Sequence, residues 1–458
     1  VSGLPKARTV AVVDIGKSNA KVALVDLASL DETVIARTAN YVVNSAPYPH
    51  FDTDRLWSFM LDGLTELGRG TKPGAIVVTT HGASGVLLAA DGNLALPMLD
   101  YEHFGPETTL TDYDLLRPDF AKTGSPRLPG GLNLGAQFFW QSRAFPEAFQ
   151  RAATILMHPQ YWAFRLCGVA ANEATSLGAH TDLWDPQKRD FSSMVDGLGW
   201  REKMAPVSKA SDRLGSLLPE IAGKTGLTAD TPVYCGIHDS NASLYPHLLS
   251  RKAPFTVVST GTWVIVMSVG GEQQVLDPAR DTLINVNAFG DPVPSSRFMG
   301  GREFSLLIGD NSAEPNEGEI AKVLETPVLL TPSIDQGSGP FQHRKAEWLP
   351  AEPTAPGERF TAVSFYLAMM TATCLELIGA RGDTIVEGPF GKNRFFIKML
   401  AAASGRRVVV SKGSTGTSIG AALLCAGEGF RPGGGAETAV VPDPKWFSYA
   451  ARWRLAVG

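Results

Sequence analysis

Cysteine is scarce in this chain: four residues in 458, at Cys167, Cys235, Cys374 and Cys425, with no Cys-x-x-Cys pair among them. That spacing excludes a zinc knuckle and a disulfide framework, and reads as reduced core thiols in a cytoplasmic protein. An excess of positive charge is also missing. Lys and Arg number 41 against 46 Asp and Glu, a formal net charge of −5, which offers no basic footprint for nucleic acid. Long apolar runs are lacking too. Val10–Val13 stops at Asp14, too soon for a signal-peptide core, and no run is read as approaching the ~18 residues of a membrane span. Neither nucleic acid nor membrane is expected as a partner. No His or Cys cluster has metal-ligand spacing, and no Gly-x-Ser-x-Gly elbow or Walker-type lysine loop occurs, so hydrolase and P-loop readings lose ground.

What is present is more chain than one hydrophobic core usually serves, so two domains are expected, with a boundary near residues 245 to 253. Thr9–Asp14 is β-rich, breaks at the polar turn Ile15-Gly-Lys-Ser-Asn-Ala20, and resumes as the apolar Val22–Val25. Thr256–Ser259, Thr260-Gly-Thr262 and Trp263–Met267 repeat that strand, turn, strand shape in the second half, which suggests an internal duplication. Ala75–Thr79, Thr231–Cys235 and Thr384–Val386 read as buried strands. Arg55–Gly68, Ala136–Phe149, Phe360–Arg381 and Arg394–Ser404 have helical spacing. Strands mixed with helices in this way predict an α/β fold.

Several of these segments carry groups that chemistry could use. The first turn puts Asp14 at a strand end beside Gly16, Lys17, Ser18, Asn19 and Lys21, and the second puts Gly261 between Thr260 and Thr262. Such turns cradle phosphate oxygens with backbone N–H groups, although each alone is equally an ordinary hairpin loop. Two of them heading two halves of one chain favour a nucleotide. Gly236-Ile-His238-Asp239 follows a strand and opens a helix. An aspartate there is either an N-cap or the base that takes a proton from an attacking hydroxyl. The loops with His81, Gly82 and Ser84, and with Asp100, Glu102 and His103, are dense in hydrogen-bonding groups, as a polyol pocket requires. Glu387-Gly388-Pro-Phe-Gly391-Lys-Asn393 precedes a helix and offers a backbone platform for adenine and ribose, or simply a Gly-Pro turn. In Ser414-Thr-Gly-Thr-Ser-Ile-Gly420-Ala-Ala422, close helix packing accounts for the small residues without a ligand.

Taken in order, these segments resemble the FGGY family of carbohydrate kinases, within the actin-like ATPases, over nearly the whole chain. The resemblance implies two ribonuclease H-like lobes around a central cleft, with residues 1–248 binding the sugar and residues 249–458 binding ATP. It implies Mg²⁺ positioned by Asp14 and Asp239, and Asp239 as the base. Gly16, Lys17, Ser18, Asn19, Lys21, Thr260, Gly261 and Thr262 would serve the phosphates, and Gly388, Gly391 and Asn393 the adenosine. His81, Gly82, Ser84, Asp100, Glu102, His238 and Asp239 would face the sugar. Lys17 stands where the family usually has Thr or Ser, Pro389 replaces a usual second glycine, and the Gln-Met-His-Gly string of xylulose kinases is absent. His238 before Asp239 is similar to the His-Asp pair of rhamnulose and fuculose kinases, so a ketose or deoxyketose is the expected acceptor. Kinases of other sugars or polyols, and a noncatalytic nucleotide or sugar sensor, stay open. So does assembly as a homodimer.

Overall fold

The computed structural model describes residues 7–309, 314–411, 416–433 and 437–458. The chain divides into two compact units. Unit 1 holds residues 1–250, 284–292 and 415–433, and unit 2 the remainder, so two short segments of the C-terminal half return to unit 1.

Unit 1 is built on the strands β1 (Thr9–Ile15), β2 (Asn19–Asp26), β3 (Glu32–Ala39) and β4 (Ala75–Thr80), with helix α1 (Thr53–Arg69) between the last two. Helix α2 (His158–Cys167), strands β5 (Arg213–Ser216), β6 (Pro232–Tyr234) and β7 (Ile237–His238), and helix α3 (Asp239–Ser250) complete it. The sheet order is β5–β6–β4–β1–β2–β3, and β7 also pairs with β4. β1 runs antiparallel to β2 and parallel to β4. Successive side chains of β1 point to opposite faces. Ala11, Val13 and Ile15 therefore join one core with Leu56, Met60 and Leu64 of α1 and Trp162 of α2. Val10 and Val12 join another with Ala242 and Tyr245 of α3. A strand covered on both faces needs an unbroken apolar run, which is what β1 and β4 carry.

The second sheet comprises β8 (Phe255–Thr260), β9 (Val264–Val269), β10 (Thr282–Val286), β11 (Pro292–Phe298), β12 (Asp383–Glu387), β13 (Val408–Ser411) and β14 (Glu437–Val440). Its order is β10–β11–β9–β8–β12–β13–β14. The shared pattern is an antiparallel meander whose first strand pairs in parallel with the strand after a long helix, α1 in one case and α4 (Pro356–Leu377) in the other. Helices α5 (Arg394–Ser404), α6 (Thr417–Leu423) and α7 (Phe447–Val457) follow. These are the two lobes of mixed sheet expected of an actin-like α/β protein.

Two expectations change in detail and a third, the close packing at Gly420, is met. α4 is long and apolar enough to cross a membrane, contrary to the reading that no run approaches that length, but 78% of its most apolar window is buried in the body. Tyr366, Phe365 and Met370 place it at the centre of a core. The helix expected over residues 136–149 is two helices, Leu134–Ala144 and Pro146–Arg151, because Pro146 lacks the N–H needed to continue the first. Gly420 of α6 is set by packing: a Cβ there would lie 1.8 Å from the Ala242 carbonyl oxygen of α3. Ser414 and Thr415 lie outside the described residues.

Candidate active site

The first turn closes by register. Ile15 pairs with Ala20, and the Gly16 N–H donates to the Asn19 carbonyl at 2.8 Å. Asn40, which the sequence reading passed over, braces the turn from β3's end. Its side-chain amide donates to the Gly16 carbonyl at 2.9 Å, and its backbone N–H to that of Ser18 at 2.9 Å. Ser18 and Asn19 are exposed on the turn. Asp14 sits opposite Lys21 in the ladder. The Lys21 Nζ lies 3.5 Å from Asp14 Oδ2 and 2.7 Å from Glu32 Oε1. Burial pushes the Asp14 carboxyl up to about 6; Lys21 opposes the shift, and the charges of Asp239 and Glu32 add to it.

Asp239 reaches the same end of the sheet because β7 extends beside β4, pairing Ile237 with Thr79 and His238 with Thr80. Gly236 makes that entry possible. It has φ +84°, and a Cβ would meet the Val78 carbonyl oxygen at 2.3 Å. Asp239 is the first residue of α3 and remains partly exposed. Its Oδ1 accepts from the Ser240 N–H at 2.6 Å and from the Ser240 hydroxyl at 3.2 Å, and lies 3.3 Å from His238 Nε2. As placed, the Asn241 amide donates to His238 Nδ1 at 3.2 Å, which puts the imidazole proton on Nε2, toward Asp239. Burial holds His238 below the usual histidine range, so it is neutral at pH 7. The His238 backbone N–H is held by Thr175 Oγ1 at 3.1 Å, and Thr175 in turn donates to the buried Glu173 at 2.5 Å.

The loops that carry His81 and Asp100 converge here too. The His81 N–H donates to the Ile15 carbonyl at 2.9 Å, binding its loop to the end of β1. Burial lowers His81 to about 4, against the pull of the Asp239 charge, so this ring is also neutral. His81 Nε2 and the Ser84 hydroxyl are buried without a hydrogen-bond partner among the described residues. Gly82 lets the His81 loop approach His238, since a Cβ would stand 2.9 Å from His238 Nε2. His158 packs 4.7 Å from the His81 ring, with Phe51 at 5.2 Å and Tyr101 at 5.6 Å. Lys17, expected at the phosphates, instead hydrogen-bonds Asp100, pairs with Glu102 at 3.7 Å, and lies over the Tyr101 ring at 4.4 Å.

The second turn and the glycine loop form one assembly within unit 2. Gly261 N–H donates to the Trp263 carbonyl at 2.9 Å, and the Thr262 carbonyl accepts from Gly301 at 3.1 Å. The Thr260 hydroxyl donates to the Glu387 carbonyl at 2.5 Å and accepts from the Phe390 N–H at 3.1 Å. Gly388 has φ +82°, and a Cβ would lie 2.0 Å from the Thr260 carbonyl oxygen. Gly388 and Gly391 line a cavity of about 480 Å³ with Lys392, Ile397 and Val410. Asn393 is committed elsewhere. Its side-chain Oδ1 caps α5 by accepting from the Phe395 and Phe396 N–H groups, each at 3.1 Å, and its Nδ2 donates to the Ser364 hydroxyl at 2.9 Å. Asn40, Phe51, His158 and Thr175 were not singled out from the sequence, because each lies alone in its segment and acquires meaning only from neighbours distant along the chain.

Duplicated actin-like sheets, each presenting a glycine turn at its first hairpin, define a nucleotide-handling class of protein. Family models agree over both halves: residues 9–245 match the N-terminal domain of the FGGY family of carbohydrate kinases, and residues 252–432 the FGGY C-terminal domain. The chain belongs to the FGGY family of carbohydrate kinases. Its structure superposes on the crystal structure of a carbohydrate kinase from Novosphingobium aromaticivorans with a TM-score of 0.89, at 37% identity, covering 98% of this chain and 100% of that one. Among curated relatives, L-fuculokinase of Escherichia coli K12 is 28% identical over 201 residues, 42% of this chain and 41% of that protein. Xylulose kinase of Bacillus subtilis is 25% identical over 311 residues, 63% and 61% respectively. The chain thus spans about two fifths of the length of the first and three fifths of the second.

Proposed function

We propose that this protein transfers the γ-phosphoryl group of ATP to a hydroxyl of a ketose or deoxyketose, of the L-rhamnulose or L-fuculose kind, with Asp239 as general base. The observation that carries it is the gathering of Asp239, His238, His81, Asp14 and Asp100 at one end of β1 and β4, from four separate segments. Phosphoryl transfer asks little covalent chemistry of the protein; it needs positioning and charge compensation. Asp239 Oδ1 is tied by Ser240 and faces the His238 Nε2–H, which leaves Oδ2 to orient the acceptor hydroxyl and take its proton. Neutral His81 and His238 act as hydrogen-bonding groups for the sugar without competing for that proton. Within unit 2, Gly388 and Gly391 line a cavity where glycine lets the backbone come close to a nucleotide.

Mg²⁺ fits the donor set. Asp14 is a buried carboxylate whose pKa burial raises, a shift that Lys21 opposes without cancelling and that Asp239 and Glu32 add to. Asp14 and Asp239 would hold the ion through water, and it would supply charge neutralisation at the phosphates. Among the described residues no group of three or more His, Cys, Asp or Glu forms a protein-only metal cage, which is consistent with an ion shared with a nucleotide.

A coupled ADP-release assay over ketoses, aldoses and polyols tests the assignment. Asp239→Asn is expected to lower kcat roughly 10²–10⁴-fold while calorimetric ADP affinity is retained. Phosphorylation at the wild-type rate in that variant defeats the role given to Asp239. ATP hydrolysis indifferent to every acceptor would favour a sensor or actin-like ATPase instead.

A further inference from the structure

Lys17 is an ammonium group where a phosphate turn could use one, yet its contacts point elsewhere. Its Nζ hydrogen-bonds Asp100, lies 3.7 Å from Glu102 Oε2, and sits over two rings, Tyr101 at 4.4 Å and Phe51 at 5.0 Å. Those same rings pack against His81, at 5.6 and 5.2 Å. Lys17 and His81 therefore share one aromatic floor, and the charge of Lys17 acts on His81. Asp100 is 7% exposed, so its charge depends on a partner.

Around this floor five carboxylates, Asp14, Glu32, Asp100, Glu102 and Asp239, share two ammonium groups, Lys17 and Lys21. Lys21 is taken by Asp14 and Glu32, and Lys17 by Asp100 and Glu102. His81 and His158, packed at this floor, add no positive charge, because burial keeps both neutral.

We infer that Lys17 is a specificity-determining residue of the acceptor pocket, fixing the Asp100 loop on the aromatic floor, so that the pocket takes an uncharged ketose or polyol and rejects an aldonic acid or a sugar phosphate. This rests on the kinase reading above. An acidic acceptor would bring another negative charge beside Asp100 and Glu102, where Lys17 is already paired, and like charges there repel strongly. A neutral polyol instead meets both acceptors and donors, namely Asp100, Lys17, His81 and Ser84. Lys17 also joins the two functions of unit 1, since it leaves the Gly16–Asn19 turn and ends on the acceptor loop.

The test uses the full chain and varies acceptor and ATP separately in wild type, Lys17→Thr, Asp100→Asn and the double variant. Acceptors are the best neutral sugar of the panel, its aldonic acid and its monophosphate. Lys17→Thr is expected to raise the acceptor KM about 10-fold or more, with the KM for ATP and the calorimetric ADP affinity within about 2-fold. Added to Asp100→Asn it is expected to cause little further loss, because Lys17 acts through that carboxylate. The neutral sugar is expected to exceed its acid by about 100-fold in kcat/KM. A raised KM for ATP with an unchanged acceptor KM overturns the inference and returns Lys17 to the phosphates; so does preference for the acid. If wild type phosphorylates nothing, the kinase reading itself fails. Calorimetric binding of gluconate to wild type, abolished in Lys17→Thr, then still overturns the inference, and binding of a neutral ketose weakened in Lys17→Thr upholds it.

Discussion

At the scale of single residues, Asp14 carries an electrostatic tension that pH can read out. An acid whose folded pKa is raised contributes stability that is complete below its unfolded value and is lost as pH rises through the folded value. For Asp14 that window runs from the ordinary 3.8 to about 6, and the shift corresponds to roughly 3 kcal/mol at most. Asp14→Asn is therefore expected to denature at a higher temperature than wild type at pH 8, with the gap shrinking as pH falls to 4, and to be inactive as a kinase. Paired melting curves at the two pH values measure it. A variant less stable at pH 8 would show that Lys21 outweighs burial. Asp14 could be suspected from its place at a strand end. Its tension could not, because burial, the largest cause, and the charges of Asp239 and Glu32 both depend on segments remote in sequence.

At the scale of elements, glycine turns were legible and their supports were not. Gly16 and Gly261 stand out as breaks between apolar strands, and the structure puts hairpins at both. Asn40 under the first turn and Gly301 under the second carry no pattern that announces them. Asn393 looked available for adenosine, but helix α5 uses it as its N-cap, an alternative any Asn before a helix invites. Gly388 is the most constrained of these positions. Its φ of +82° and ψ of −164° fall in a region reserved for glycine, and no Cβ fits against the Thr260 carbonyl. Gly388→Ala is expected to destabilise the protein by about 1–3 kcal/mol and to weaken ADP binding, read by calorimetry, while the acceptor KM is unchanged. Unaltered ADP affinity would remove this loop from the nucleotide site.

At the scale of the whole molecule, each of the two mixed sheets is packed against helices. α4 shows the limit of that reading. Its composition suits a lipid bilayer as well as a core, and only the helices and sheet packed round it, with Phe365 5.0 Å from the Trp446 ring and 4.8 Å from Tyr449, decide between them. Phe365→Ala is expected to lower unfolding stability by about 3–5 kcal/mol, seen as a lower denaturant midpoint, with kcat and both KM values preserved where the variant is folded. A shift below about 1 kcal/mol would mean that the core repacks around the loss.

The sequence by itself determined the α/β class, the repeated hairpins, the strand-end position of Asp14 and the helix-opening position of Asp239, because strand and helix periodicity and glycine turns are local properties. Tertiary structure alone decided which charges meet. Lys17 is one residue from Gly16 yet spends its charge on Asp100, and His81 and His158 are neutral because burial removes the water that would stabilise their protonated forms. Electrostatic partners and desolvation depend on distances through space, and one chain read along its length contains none of them.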